Sequence, residues 1–108
     1  MELRKVTAII RSSSLIQVEE RLQEMNVKGL SVSNVKGYGE YANFFTHDWQ
    51  VTHSRIEIFT EKTNAEGIAR AIMETAHTGM SGDGFIAILP VEKLFRIRTG
   101  AEAIRGDI

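Results

Sequence analysis

An α+β fold, with one antiparallel sheet carrying two helices on a single face, is what the sequence predicts, and three observations predict it. Segments whose apolar residues alternate are interleaved with segments whose apolar residues recur every three or four positions. Their order is strand, helix, strand, strand, helix, strand. The 108 residues, 43% of them hydrophobic and 25% charged, suffice for one core and not for two.

KVTAII, residues 5–10, places Val6, Ala8 and Ile10 on one face and Thr7 and Ile9 on the other, and this strand ends near Arg11. SSSLIQVEERLQEM, residues 12–25, reads as a helix with Leu15, Val18, Leu22 and Met25 on its buried stripe. Ser14 and Gln17 fit a capping box at its start, and Gly29 is placed to stop it. GLSVSNVKGYG, residues 29–39, is a second strand running into a glycine turn. EYANFFTHDWQVTH, residues 40–53, has neither period and is expected to be a loop. SRIEIFTE, residues 54–61, restores alternation, with Ile56 and Ile58 opposed to Arg55, Glu57 and Phe59. Thr63 and Glu66 fit a second capping box, opening a helix whose stripe is Ile68, Ala69, Ile72 and Ala76. His77 falls in its last turn as a cation at the helix C-terminus, and Gly79 is placed to end it. FIAILP, residues 85–90, is a fourth strand closed by Pro90. A turn at VEKL leads to FRIRTG, an extra short strand with Arg96 and Arg98 on one face and Phe95 and Ile97 on the other. This βαββαβ order is the ferredoxin-like plan. The face that no helix covers would carry Thr7, Ile9, Arg55, Glu57 and Phe59, a mixture that predicts a subunit contact.

Composition narrows the function classes. Thirteen Lys and Arg balance 14 Asp and Glu, which argues against a nucleic-acid-binding domain but leaves small anionic ligands open. The absence of cysteine excludes disulfides, thiolate metal ligands and cysteine nucleophiles. No segment approaches the roughly 18 apolar residues that span a bilayer, so the protein is expected to be cytoplasmic and not membrane-embedded. His47, Asp48 and His53 have no defined ligand spacing, and no metal site is expected. Ser12 to Ser14 are most simply caps, no nucleophile, base and orienter assemble, and the chain is not expected to be an enzyme.

Between the second helix and the fourth strand, HTGMSGDG carries Gly79, Gly82 and Gly84, although one glycine suffices to stop a helix. The others permit either a tight turn around Asp83 or a close backbone approach to a ligand. KGYG, residues 36–39, is a second such turn at another strand end. Arg96 and Arg98 fit either a bidentate anion contact or a solvated strand edge.

Five stretches in register, AIIR (8–11), VSNVKGYG (32–39), RIEI (55–58), TGMSGDG (78–84) and RIRTG (96–100), resemble the PII signal-transduction proteins across nearly the whole chain. The resemblance implies one PII-like domain over residues 1–108 with a flexible T-loop at about 38–53. It also implies a homotrimer with adenine-nucleotide sites in the clefts between subunits, and a target protein docked by the T-loop. Residue by residue, it implies Gly82, Asp83, Gly84 and Phe85 as the lower phosphate loop and Gly37, Tyr38 and Gly39 as the upper one. Glu57 would also contact the nucleotide, and Arg96 and Arg98 would clamp the phosphates from the neighbouring subunit. Physically, this is a backbone anion nest completed by charge-assisted hydrogen bonds.

The chain also departs from the family pattern. Phe85 stands where the family has a phosphate-reaching Lys, and Glu40 and Tyr41 stand where it has Arg and a Gln that helps hold Mg-ATP and 2-oxoglutarate. ADP or AMP is therefore expected over Mg-ATP, with no covalent cofactor and no usual 2-oxoglutarate response. PII-like proteins associated with inorganic-carbon uptake or carboxysomes also depart from the nitrogen-sensing pattern, so the resemblance extends to that type and makes bicarbonate a candidate co-signal. Phe44, Phe45 and Trp49 give the loop the composition of a partner-docking surface. Two other classes fit the same scaffold: a small phosphate-handling hydrolase, and a structural trimer without ligand.

Overall fold

Strand β1 (Leu3–Arg11) is the spine of the molecule, because it pairs antiparallel with β3 (His53–Glu61) on one side and β4 (Phe85–Val91) on the other. The computed structural model describes residues 1–35 and 52–108. With β2 (Ser31–Val35) on the outer edge of β3, the sheet has the order β2-β3-β1-β4, and every pair is antiparallel. Helices α1 (Leu15–Glu24) and α2 (Lys62–Ala76) cover one face. Val6, Ala8, Ile10, Ile56 and Ile58 from the sheet meet Val18 and Leu22 of α1 and Ile68, Ala69 and Ile72 of α2 there, all buried. This is the α+β, ferredoxin-like arrangement that the two periodicities predict.

Register leaves Lys5, Thr7, Ile9, Arg55, Glu57 and Phe59 on the uncovered face, joined by Phe85, Ala87 and Leu89 of β4. Phe59 and Leu89 are both exposed. Pro90 lies inside β4, opposite Arg4, rather than closing it. An edge strand tolerates the missing N–H, and β4 is an edge.

Both expected capping boxes are absent. Ser12–Ser14 form a 3-10 turn that runs straight into α1, so Ser14 is already helical (φ −93°, ψ −6°) and cannot present its hydroxyl as a cap. Helix α2 starts at Lys62, before Thr63, and the Lys62 N–H donates to the Glu2 carbonyl at 2.9 Å. A tertiary contact thus satisfies a donor that a cap would otherwise serve. Gly29 is not the stop of α1. Asn26 takes the left-handed conformation (φ +63°), donating to the Gln23 carbonyl while Val27 donates to Leu22, both at 3.0 Å. That is a Schellman ending with Asn in the glycine position, and Val27 packs on the core beyond it. His77 follows the last helical residue instead of sitting in the last turn.

The end of the chain departs most from expectation. In place of one strand over residues 95–100, β5 (Phe95–Arg96) and β6 (Ala101–Glu102) form a separate hairpin, closed where Gly100 N–H donates to the Arg96 carbonyl at 2.9 Å. Arg98 therefore lies in the hairpin turn, not beside Arg96 on one strand face. A second 3-10 turn, Arg105–Asp107, follows.

Candidate functional site

The glycine turn is built around Asp83. Thr78 and Gly79 each donate a backbone N–H to its Oδ2 at 2.9 Å, the Thr78 hydroxyl donates to Oδ1, and Arg11 Nε reaches Oδ1 at 3.4 Å. Arg11 also donates through Nη2 to the Ser81 carbonyl, so the last residue of β1 fastens the turn twice. Partial burial alone would raise the Asp83 pKa, but the Thr78 side chain, the Thr78 and Gly79 amides and Arg11 together hold it down, from 3.8 to about 2. The carboxylate is thus engaged within the turn at neutral pH.

Gly82 and Gly84 both have positive φ, +100° and +101°. A Cβ on Gly84 would lie 1.7 Å from the Ile9 carbonyl oxygen, so only glycine lets the turn pass this close to β1. The Gly82 carbonyl sits 3.0 Å from Nε2 of His53, which is fully buried at the start of β3. Beside them the Ser12 and Ser54 hydroxyls pair at 2.7 Å. Phe85 leaves the turn as the first residue of β4, 60% exposed and opposite Ile9.

The second set of predicted residues lies elsewhere. Leu3 pairs with both Glu61 and Val91, which puts the C-terminal hairpin at the end of the sheet where β1 begins, whereas the glycine turn lies where β1 finishes. Seven residues of β4, about 20 Å of extended chain, run between the two ends. Arg96 and Glu57 line one cleft of about 750 Å³, together with Lys28, Thr60 and Asp107. In it Arg96 Nη1 pairs with Asp107 Oδ1 at 3.2 Å, and Glu57 lies 3.7 Å from Lys5 Nζ and 3.8 Å from Arg55 Nε. Arg98 is exposed on the hairpin turn.

One chain thus brings Gly82, Asp83, Gly84 and Phe85 together at one end and holds Arg96 at the other, with Arg98 on the turn beyond, while Glu57, opposite Thr7 in the middle of β1, shares the cleft of Arg96. Gly37, Tyr38, Gly39, Phe44, Phe45 and Trp49 lie outside the described residues, as do Glu40, Tyr41, His47 and Asp48. Among the described residues no three His, Asp or Glu side chains are grouped to hold a metal ion, and no helix is long and apolar enough to cross a membrane.

Sequence reasoning missed Arg11, Thr78, His53 and Asp107 as parts of these two ends. Thr78 carried a local signal, a hydroxyl five residues before an Asp in a glycine-rich turn. Arg11 and His53 carried none, since their partners lie far along the chain.

Fold and turns define a class: ferredoxin-like domains with a glycine-built turn at one end of the sheet and an arginine-bearing hairpin at the other. The family model described as Nitrogen regulatory protein P-II matches residues 3–101. The chain belongs to that family, whose members are regulatory signal-transduction proteins. It is 36% identical to the nitrogen regulatory protein P-II of Azospirillum brasilense, over 97% of this chain and 98% of that protein. With the P-II homolog of Arabidopsis thaliana it shares 35% identity over 96% of its own length, but it spans only 60% of that longer relative. The crystal structure of Arabidopsis thaliana PII bound to citrate superposes with a TM-score of 0.79, at 35% identity, covering 94% of this chain and 89% of that one.

Proposed function

We propose that the protein is a PII-type sensor that binds ADP or AMP in preference to ATP between the subunits of a homotrimer and controls a target protein through the segment at about 38–53. It acts in the cytoplasm by binding rather than by catalysis, with bicarbonate as a candidate co-signal. The observation that supports this reading is the separation of the two half-sites. The glycine turn and the arginine hairpin occupy opposite ends of the sheet, so a phosphate that touches both needs the turn of one copy and the hairpin of another. The uncovered sheet face, with Phe59, Phe85 and Leu89 exposed, supplies apolar surface for such a contact.

Isothermal titration calorimetry with ADP, AMP and ATP, each with and without Mg²⁺ and bicarbonate, tests this when run beside sedimentation of the same samples. Micromolar ADP or AMP binding by a trimer, lost in Arg98→Ala, is the expected result. A monomer, or a protein silent to every nucleotide, overturns it.

A further inference from the structure

Arg96, which the proposed function makes a phosphate contact, already holds an anion of the chain's own. Its Nη1 lies 3.2 Å from Asp107 Oδ1, while Asp107 Oδ2 accepts the Ile104 N–H at 2.9 Å. The 3-10 turn that carries Asp107 is anchored separately: Arg105 Nε donates to Glu61 Oε1 at 2.7 Å, and Lys28 Nζ reaches the Gly106 carbonyl at 3.5 Å. The carboxylate is therefore delivered to Arg96 by a fastened element. Both partners line the 750 Å³ cleft and stay accessible, with side chains 41% and 22% exposed, so the pair can exchange in a way a fully buried one would not.

We infer that Asp107 is a specificity-determining residue for anions at this cleft, an internal competitor that a phosphate group must replace at Arg96. A guanidinium pairs with carboxylate and phosphate through the same geometry, and a doubly charged phosphate outcompetes the single charge of Asp107 where a weaker anion does not. Glu57 in the same cleft adds a second carboxylate, itself paired with Lys5 and Arg55, and Lys28 adds a second cation. This inference rests on the reading of Arg96 as a ligand contact.

The test uses inorganic pyrophosphate and ADP as separate probes on the intact protein and on Asp107→Asn, Arg96→Ala and the double variant. Asp107→Asn removes the charge but keeps an oxygen for the Ile104 N–H. It should tighten both probes about five- to tenfold at low ionic strength, an advantage that fades at roughly 0.5 M salt. The gain should vanish in the Arg96→Ala background. In the unaltered protein, pyrophosphate should shift the NMR signals of the Arg96 Nε and the Asp107 carboxyl carbon together, a readout independent of any variant's folding. Unchanged or weaker binding by Asp107→Asn, a gain that persists without Arg96, or an Asp107 signal unmoved by bound pyrophosphate each overturns the inference. Pyrophosphate binding sharpened by Asp107→Asn without ADP binding upholds it and overturns the nucleotide reading alone. Silence of every variant to both probes overturns both.

Discussion

The two ends of the sheet are built on opposite principles. At the glycine turn every charge is satisfied internally: Asp83 is engaged by Thr78, Gly79 and Arg11, and the backbone presses against Ile9. At the hairpin the arginines are held loosely, Arg96 by one accessible carboxylate and Arg98 exposed in a turn. The difference separates a part fixed by internal hydrogen bonds from a part whose charges lie near the surface. Under the proposed function, the exposed arginines would supply charge to a bound phosphate.

Substitutions should break this contrast in decreasing order. Gly84→Ala drives a Cβ into the Ile9 carbonyl at a φ of +101°, and the turn must leave β1. A loss of about 3 kcal/mol in urea denaturation is expected, and a loss below about 1 kcal/mol would mean that the close approach relaxes cheaply.

Asp83→Asn comes next. The carboxyl titrates near 2 in the folded protein against 3.8 ordinarily, worth about 2 kcal/mol at neutral pH. Because the folded pKa is the lower one, this stability is fully present above about pH 4 and is lost as pH falls toward 2. The stability gap between the parent and Asp83→Asn should therefore shrink across that window, and a gap independent of pH would show that the charge is not what the turn uses.

At the hairpin the effect moves from stability to binding. Arg98→Ala should change the unfolding free energy by less than about 0.5 kcal/mol while weakening ADP binding at least about tenfold, read by calorimetry. Equal losses in both measurements would erase the distinction between the two ends.

The alternation of KVTAII and SRIEIFTE and the stripes of both helices placed the core face in advance, because burial enforces those periods wherever one side of an element is dry. The uncovered face was legible for the same reason. The caps were not: whether a serine caps a helix depends on what else serves the first-turn donors, and at α2 the Glu2 carbonyl, sixty residues away in the chain, serves one of them. The Asn26 ending was hidden by Gly29, the more obvious stop, although only the residue in the left-handed conformation decides where a helix ends. Within the candidate site, the glycines could be read as a turn or as a ligand approach. The structure gives Gly84 a packing reason, its passage over Ile9, that no local pattern displays. Arg11 and Asp83 stand 72 positions apart, beyond the reach of any local period.

Strand β1 precedes both of its sheet partners in the chain. Its neighbours in the sheet are β3 and β4, so Leu3 finds its two partners only at Glu61 and Val91. During synthesis one edge of β1 is therefore unpaired until β3 is complete at Glu61, and the other until β4 is complete at Val91. Such long-range pairing folds slowly and exposes a template for wrong partners in the interval. A chain truncated before residue 85 lacks β4 and leaves one edge of β1 open, and it should behave as an aggregation-prone fragment.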